Sequence, residues 1–278
     1  MPKRTQTWEN ITVKPKHDDD KTIKTVQWMG SKDIRVVDSP MPLITDPGDV
    51  VIKVTSSCIC GSDLHLYLGA MPGMKRGDIM GHETLGIIVD VGPEVTSFRP
   101  GDRVVVAFDI ACGHCFSCQH QDFSGCDNTN PSTEQEMLYQ HRSCGMFGYS
   151  HLTGGYEGGQ AEMLRVPLAE QNCIKVPPAS ELPDEKVVLL SDILSTAWHA
   201  NELGGVQKGD NVAIWGAGPV GILAAHVAQV RGANTIVLID KEQYRLDYAK
   251  ERIPGIHTIN FESKLLLGAQ HFVALGLQ

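Results

Sequence analysis

The order of apolar and polar residues divides the chain into two parts with different periodicities. In the first part, short β-branched runs are bounded by Gly, Pro and Asp, which is typical of strands and turns. We therefore expect an all-β, barrel-like domain with long loops. The runs that predict its strands are TVQWM, DIRVVD, VVIKVT, GIIVDVG and DRVVVAF.

The second part alternates strands with helices. A helix is predicted over residues 183–203, where Asp and Glu occupy the first turn. From residue 211 the order is strand, helix, strand, helix, strand, which is typical of βαβ units in a parallel sheet. The segments are NVAIW, PVGILAAHVAQVRG, TIVLID, KEQYRLDYAKERI and HTINF.

These patterns predict an α/β fold class in which a β domain comes first. Residues 1–22 are polar and charged, and we expect a mobile extension there. The β domain is predicted over residues 23–183 and the α/β domain over residues 184–278. From about residue 264 the chain continues into an atypical apolar tail.

Composition and charge narrow the partners and the location. A net charge of −9 without a basic stripe argues against binding to nucleic acid or to an anionic membrane. The chain has no apolar run of membrane-spanning length and no secretory signal near its start, so we expect a cytoplasmic location. Disulfides are rare there, and clustered cysteines therefore indicate metal binding.

Four cysteines lie close together in the segment ACGHCFSCQHQDFSGC, with the spacing C-x2-C-x2-C-x7-C. Two-residue gaps let backbone turns aim several sulfurs at one centre, as a tetrahedral zinc site requires. Such a site has no open position for a substrate, so its predicted role is to fold a loop. Free thiols, a disulfide pair or an iron–sulfur cluster are the alternatives. The predicted ligands are Cys112, Cys115, Cys118 and Cys126.

A second candidate metal site is spread along the chain. It combines Cys60 in CICGSDLH, His82 in GHE and Asp192 in LLSDILS. One Cys, one His and one Asp suit zinc and leave a fourth position open, where a water or alcohol would be acidified. Each residue also has a simpler interpretation, since a lone Cys is usually packing and an Asp can cap a helix.

A glycine-rich turn, WGAGPVG, follows a predicted strand and precedes a predicted helix. Gly216 permits the tight turn, Gly218 lets the backbone approach a pyrophosphate, and Gly221 lets the helix pack on the strand. Asp240 ends the next strand, where it would bind a ribose 2′-hydroxyl and repel a 2′-phosphate. This indicates NAD over NADP, although the adjacent Lys241 weakens the preference. An ordinary βαβ turn without a ligand is the alternative.

Taken together, these motifs resemble the zinc-containing medium-chain alcohol dehydrogenase family over residues from about 23 to 262. CGSDLH resembles its first zinc-ligand loop, GHE its second, the four-cysteine segment its structural-zinc lobe, GGQAEMLRVP the end of its β domain, and GAGPVG its nucleotide turn. The resemblance implies a GroES-like β-barrel catalytic domain followed by a Rossmann domain. It also implies one catalytic and one structural Zn²⁺, and oxidation of an alcohol or an aldehyde hydrate by hydride transfer to NAD.

The resemblance further assigns metal ligands by motif position. Cys60, His82 and Asp192 match the catalytic zinc ligands, and Glu83 matches the carboxylate beside the metal. Many members carry Cys at the third place. Asp occurs there in a subset that includes the glutathione-independent formaldehyde dehydrogenases, to which the LSDILSTAWH stretch is similar.

The proton pathway and the cofactor contact are implied in the same way. Ser62 would receive a proton from the alcohol, and His65 would pass it outward. Thr196 corresponds to a position near the nicotinamide. The resemblance leaves the oligomeric state open, a homo-oligomer included, because the family assembles largely through surfaces of its nucleotide domain.

The C-terminal part departs from the family pattern. A doubly wound domain has six strands, whereas three are predicted after residue 210, so we expect an incomplete Rossmann sheet in a C-terminally truncated, spliced or frame-shifted chain. An open half sheet would favour aggregation or a partner. Two other functions therefore stay open: a catalytically silent zinc-binding fragment that associates with a full-length relative, and a zinc-free quinone reductase.

Overall fold

The computed structural model describes residues 11–264 of the chain. These residues form two compact units, divided in sequence between Asp192 and Ile193. Residues 1–10 of the predicted extension and residues 265–278 of the predicted tail lie outside the described residues. No helix within the described range is both long enough and apolar enough to cross a membrane.

The first unit is mostly β structure with short helices. Its strands are β1 (His17–Gly30), β2 (Asp33–Pro42), β3 (Val50–Ser57), β4 (Asp78–Ile79), β5 (Thr84–Val91), β6 (Arg103–Val106), β7 (Asp109–Ile110), β8 (Gly145–Met146), β9 (Met163–Val166) and β10 (Cys173–Lys175). Its helices are α1 (Gly61–Tyr67), α2 (Phe116–Gln119), α3 (Thr133–Tyr139), α4 (Ala169–Asn172) and α5 (Asp184–Val187), with 3₁₀ turns at Phe123–Gly125, His151–Thr153 and Val188–Ser191.

The strands of this unit pair in three antiparallel sheets. The largest has the order β10-β6-β5-β3-β9, the next β2-β1-β4, and the smallest β7-β8. An isolated bridge pairs Thr25 of β1 with Ala161, which lies just before β9. The pairing among the described strands does not close into a ring. The inward residues form one apolar core, and burying each large side chain contributes roughly 1.5–3 kcal/mol. The core includes Val50, Ile52, Ile88, Val104, Val106, Ile110, Phe147, Leu164 and Val166.

The start of the described chain differs from the predicted mobile extension. Residues 17–22 are the beginning of β1, and they pair with the end of β2. The Thr12 backbone amide also donates to the Asp46 carboxylate at 2.9 Å. The side chains of residues 19–22 stay exposed, and the strand pairing is irregular between Asp18 and Thr22. A polar, charged sequence is therefore compatible with an exposed edge of a sheet, and polarity alone did not reveal this strand.

The division between the units falls later than the predicted boundary at 183/184. Val187 and Val188 are buried in one cluster with Leu85 of β5 and Val105 of β6. The segment after residue 183 therefore packs on the β sheet, although its local sequence favours a helix like that of the second unit.

The second unit has the predicted alternation of strands and helices. Its strands β11 (Asn211–Trp215), β12 (Thr235–Asp240) and β13 (His257–Asn260) are parallel and lie in the order β11-β12-β13. Its helices are α6 (Ile193–Leu203), α7 (Pro219–Val230), α8 (Gln243–Arg252) and α9 (Phe261–Lys264). Their apolar faces form a separate core that includes Val206, Ala225, Ala228, Ile236, Leu238, Leu246, Ala249 and Ile253. The predicted fold class, with a β domain before a partial Rossmann sheet, is confirmed.

Candidate metal centres

Two paired strands bring the first candidate ligands together. β3 and β5 are antiparallel up to the pair Ser57 and Thr84, so the loop after β3 lies beside the segment before β5. The Ser57 hydroxyl donates to the Glu83 carbonyl at 2.8 Å, which fixes this junction. Cys60 is the N-cap of α1, and His82 directly precedes Glu83. The sheet register therefore brings the CGSDLH and GHE motifs to one place.

Asp192 reaches the same place because the helix predicted over residues 183–203 is interrupted there. The 3₁₀ turn Val188–Ser191 ends at Asp192, whose φ of −145° and ψ of −72° are not helical. The Phe108 amide donates to the Ser191 carbonyl at 3.2 Å, which ties the interruption to the segment after β6. The prediction of one continuous helix was wrong, because this tertiary contact overrides local helix propensity.

Four side chains converge on one point in the first unit. One ligand atom of each lies within 4.8 Å of those of the others, and the four residues are Cys60, His82, Glu83 and Asp192. His82 Nε2 is 3.2 Å from an Asp192 carboxylate oxygen. Cys60 Sγ is 3.8 Å from the same oxygen. Glu83, which the sequence placed beside the metal, thus offers a carboxylate oxygen to the same group.

The charges of this group suit a cation. Burial lowers the pKa of the His82 imidazole, but its polar contacts with Asp192, Asp63 and Cys60 outweigh burial and raise that pKa to about 12. Burial first, and then the charge of Asp192, raise the pKa of Glu83. Acidic side chains thus crowd a buried space and hold a proton on the imidazole to compensate. A divalent ion would supply that positive charge in place of the proton.

Unpaired buried atoms also fit a metal at this point. Five buried side-chain N or O atoms in the described part of the chain lack a hydrogen-bond partner. Among them are Glu83 Oε2, His82 Nδ1 and Asp63 Oδ1. Leaving such an atom unpaired costs roughly 1–3 kcal/mol, so the centre is incomplete as a hydrogen-bond network. Cys, His and carboxylate ligands are those that zinc prefers, and these residues fit it.

Asp63 belongs to this centre, although the sequence interpretation did not single it out. One of its carboxylate oxygens accepts the Cys60 backbone amide at 2.9 Å. The other lies 3.4 Å from His82 Nδ1, an ion-pair distance without the alignment of a hydrogen bond. One buried carboxylate thus supports two candidate ligands from behind, a common arrangement at metal sites. The available sequence signal was an acid three residues after a helix N-cap.

His82 is held by direct contact between backbone segments. Gly81 has a φ of +99°, and a Cβ there would lie 2.5 Å from the Gln160 backbone nitrogen. The Gly159 amide donates to the Gly81 carbonyl at 2.7 Å. A Cβ at Gly148 would lie 2.4 Å from the Gly81 nitrogen. Glycine is therefore required where these segments cross, for its conformation as well as for its size.

We expect Gly81→Ala to destabilise the first unit by at least about 2 kcal/mol more than Gly101→Ala, and to lower zinc content. Gly101 is the matched control, because its φ is +94° but nothing lies within 4 Å of an added Cβ. Both variants place an alanine in the left-handed conformation, which destabilises each of them. Only in Gly81→Ala does the added Cβ also clash with a neighbouring segment. Urea denaturation and zinc analysis measure the difference. Equal losses would mean that the crossing segments can move apart.

The predicted proton-relay residues lie on α1. Ser62 is half-buried, and its Oγ lies 3.5 Å from His82 Nε2, the nitrogen that faces Asp192. His65 follows three residues later on the same helix and is exposed. Side chains three residues apart on a helix are neighbours. Ser62 thus adjoins the ligand group, and His65 adjoins Ser62 on the solvent side.

The four clustered cysteines form the second candidate centre. Their sulfurs all lie within 4.8 Å of one another, and the residues are Cys112, Cys115, Cys118 and Cys126. None of the eight cysteines is in a disulfide. The sulfurs of Cys112 and Cys118 are 4.0 Å apart. Tetrahedral zinc with Zn–S bonds of about 2.3 Å spaces its sulfurs about 3.8 Å apart, so the lobe has nearly the required spacing.

Hydrogen bonds prepare this lobe for a metal. Cys112 Sγ accepts the Cys115 backbone amide at 3.3 Å and the Asn128 side-chain amide at 3.5 Å. Hydrogen bonding from Cys126 foremost lowers the pKa of Cys112, while the same contact raises the pKa of Cys126. Cys112 is therefore the stabilised thiolate of the pair, and Cys126 keeps its proton. Because zinc binds thiolates, these residues fit a structural zinc ion.

In the second unit, the glycine-rich turn joins β11 to α7. Gly216 has a φ of +100°, which only glycine adopts readily. A Cβ at Gly221 would lie 1.8 Å from the Gly216 carbonyl oxygen, so the helix approaches the turn closely. Gly218 is the N-cap of α7, and nothing lies within 4 Å of a Cβ added there. The fold itself does not require glycine at position 218, and the space above it is open to a ligand.

Asp240 ends β12 and holds this turn. Its carboxylate accepts the Ala217 amide at 2.6 Å and the Glu242 amide at 2.8 Å. These bonds, that from Glu242 first, lower the pKa of the carboxyl group. The structure thus brings an ionised Asp240 to the glycine turn. Thr196 is exposed and lies in the first turn of α6 in the same unit.

Comparisons with known proteins agree with this geometry. The family described as alcohol dehydrogenase GroES-like domain matches residues 46–178. A zinc-type alcohol dehydrogenase-like protein of Schizosaccharomyces pombe is 43% identical over 232 residues, which cover 83% of this chain and 54% of the relative. A glutathione-independent formaldehyde dehydrogenase of Pseudomonas aeruginosa is 37% identical over 236 residues, which cover 82% of this chain and 56% of the relative.

A solved structure gives the same result over a longer stretch. An alcohol dehydrogenase from Thermus sp. ATN1 has a TM-score of 0.80 and 35% identity to this chain, covering 92% of it and 68% of that structure. The chain spans a little over half the length of the two curated relatives, 54% and 56%. The ligand geometry, the GroES-like match and these relatives lead to one conclusion. This chain belongs to the zinc-containing medium-chain alcohol dehydrogenase family.

Proposed function

We propose that this protein is a zinc-dependent oxidoreductase that oxidises an alcohol, or the hydrate of an aldehyde, by hydride transfer to NAD. The observation that carries the proposal is the convergence of Cys60, His82, Glu83 and Asp192 on one point. A glycine-rich nucleotide turn in the same chain and membership of the family support it. The four-cysteine lobe is proposed to hold a second, structural zinc ion.

The side chains around the first centre have distinct proposed tasks. When bound, zinc supplies a Lewis acid that lowers the pKa of an alcohol hydroxyl. Ser62 adjoins the ligand group and is proposed to take up the hydroxyl proton. His65 is exposed on the same side of α1 and is proposed to release that proton to solvent, since imidazole exchanges protons near neutral pH. Asp63 keeps His82 and Cys60 in place.

The cofactor is proposed to lie on the glycine turn of the second unit. The N-terminus of α7 and Gly218 would contact the pyrophosphate, and Thr196 the nicotinamide side by its family position. Asp240 supports NAD over NADP. Its carboxylate accepts two backbone amides and still has lone pairs that could accept the ribose 2′-hydroxyl of NAD. Arg245 lies 4.0 Å from Asp240 and would attract the 2′-phosphate of NADP. The ratio of activity with NAD to activity with NADP therefore has to be measured.

The direct test is NADH formation by the zinc-loaded chain. NAD or NADP is supplied with ethanol, a longer primary alcohol or formaldehyde, and zinc content is measured on the same sample. Turnover that prefers NAD supports the proposal, and the substrate series then ranks alcohols against the aldehyde hydrate. A folded chain that carries both zinc ions without turnover would contradict it.

A folded chain that binds zinc without turnover would have another function, which is zinc binding without catalysis. The nucleotide unit has three parallel strands among its described residues, whereas a doubly wound domain combines two such halves. This observation favours the second candidate, in which the chain associates with a longer relative. Titration with NADH separates the two, since a silent chain would also bind the cofactor weakly.

The glycine turn offers a test of cofactor binding that is independent of turnover. We expect Gly218→Ala to change stability by less than about 1 kcal/mol and to weaken NADH binding at least about tenfold, because the methyl group would occupy the space above the turn. Gly221→Ala is the contrasting variant. Its Cβ would lie 1.8 Å from a carbonyl oxygen, so it should destabilise the second unit itself.

Thermal unfolding and NADH fluorescence titration measure the two effects. If Gly218→Ala binds NADH as tightly as the unaltered chain, the turn is an ordinary βαβ connection.

A further inference from the structure

Tyr149 adjoins the first metal centre and has no task in the function proposed above. Its side chain is 9% exposed and is buried in one apolar cluster with Leu66 and Met80. Leu66 belongs to α1, which begins beside Cys60, and Met80 lies two residues before His82. Tyr149 thus packs against two of the three segments that supply the centre.

The ring of Tyr149 contacts a candidate ligand directly. It meets the His82 imidazole edge to face, with centroids 5.9 Å apart and planes at 84°. On the same imidazole, the ring of Phe108 lies with its centroid 6.4 Å away and its plane at 70°. The contact of His82 Nδ1 with Asp63 is not aligned as a hydrogen bond. The two aromatic rings therefore restrict the rotation of the imidazole, and they direct Nε2 toward Asp192.

The hydroxyl of Tyr149 interacts with Ser62. Burial raises the pKa of the phenol, and a hydrogen-bonding interaction with the Ser62 side chain opposes that rise. The phenol oxygen and the Ser62 hydroxyl are thus within interaction distance of each other. Ser62 Oγ in turn lies 3.5 Å from His82 Nε2. Ser62 therefore lies between the phenol of Tyr149 and the imidazole of His82.

We propose that Tyr149 is a positioning residue of this centre: its ring fixes the plane of His82, and its hydroxyl holds the Ser62 hydroxyl beside that imidazole. This inference rests on the proposed function, because Ser62 is the group proposed to take up the proton of the alcohol. A hydrogen-bonding partner on the far side of Ser62 would fix the orientation of the serine hydroxyl. It would thereby decide whether Ser62 faces the reacting hydroxyl.

Two substitutions test the contributions of the Tyr149 ring and of its hydroxyl separately. Tyr149→Phe keeps the edge-to-face contact and removes the hydroxyl. We expect it to retain zinc affinity within about twofold, to shift the pH midpoint of the cobalt-substituted centre by about 0.5–1 unit, and to lower kcat about tenfold with little change in KM. Tyr149→Leu also removes the ring, and we expect it to weaken zinc binding at this centre at least about tenfold.

The matched control is Tyr156→Phe. Tyr156 is likewise buried, but its hydroxyl donates to the Thr129 carbonyl at 2.6 Å, away from the ligand group. Its loss should lower the unfolding temperature and leave the cobalt spectrum and its pH midpoint unchanged. Tyr149→Phe should show the opposite combination, which a merely structural role for Tyr149 would not produce.

Cobalt absorption and zinc competition with a chromophoric chelator do not depend on turnover. An unaltered chain without turnover would count against the proposed dehydrogenase, while the two spectroscopic readouts would still report on Tyr149. The inference is overturned if both Tyr149 variants keep the parental cobalt spectrum, pH midpoint and zinc affinity.

Discussion

Cys60→Ala is expected to remove one equivalent of zinc and to lower the rate of alcohol oxidation at least about a thousandfold. Cys60 contributes the thiolate of the first ligand group, with its sulfur 3.8 Å from the Asp192 carboxylate. Loss of a residue that merely supports a ligand costs about 10–100-fold at metal sites, and loss of the ligand itself should cost more. Zinc analysis and NADH formation on the same preparation measure the two effects.

The control for this variant lies two residues upstream in the same loop. Cys58 is outside the ligand group, and burial above all raises its pKa to about 11, so it stays a thiol at neutral pH. We expect Cys58→Ala to keep both equivalents of zinc. If Cys60→Ala also keeps both, then Cys60 is not a ligand and the proposed catalytic centre fails with it.

Cys112→Ala is expected to destabilise the first unit severely. Structural zinc sites contribute roughly 10–16 kcal/mol of binding free energy, and part of that is folding free energy of the loop they hold. Even a net loss of about 4 kcal/mol would lower the unfolding temperature by roughly 10 °C in a domain of this size. Differential scanning calorimetry with zinc analysis should show a lower transition and one equivalent of zinc lost.

Cys173→Ala is the matched control for a buried thiol without a metal. Cys173 is 6% exposed in the main apolar core, and burial foremost raises its pKa to about 12. Removing its sulfur should cost about 1 kcal/mol by lost packing and should leave zinc content unchanged. Equal effects of the two substitutions would mean that the four-cysteine lobe folds without a metal.

The two ligand variants are expected to fail in different ways. The Cys60 variant should lose activity with a modest change in unfolding temperature, because its group lies on a sheet that folds through its own core. The Cys112 variant should lose stability, because the lobe around it is built largely from the cysteines themselves. This difference is the measurable form of the distinction between a catalytic and a structural site.

Short-range patterns in the sequence were sufficient for much of this description. The C-x2-C-x2-C-x7-C segment and the G-x-G-x-x-G turn are local, so their spacing alone determines which atoms face each other. Alternation of strands and helices likewise predicted the parallel sheet of the second unit. Strand pairing between distant segments cannot be read from a local pattern in the same way. Residues 17–22, which are polar but begin β1, were therefore interpreted as an extension.

The first metal centre depended on tertiary structure. Its candidate ligands come from three separate segments, and the register of β3 on β5 and the interruption at Asp192 bring them together. The close crossing at Gly81 and the contact of Tyr149 have no local signature. Asp63 had only the signal of an acid three residues after a helix N-cap, which does not reveal its contact with His82.

The sequence by itself thus determined the residue types, the local turns and the family. The tertiary structure decided which residues lie within bonding distance of His82. The physical reason is that backbone pairing and packing between distant segments set these distances, while sequence spacing reaches only about one turn of chain.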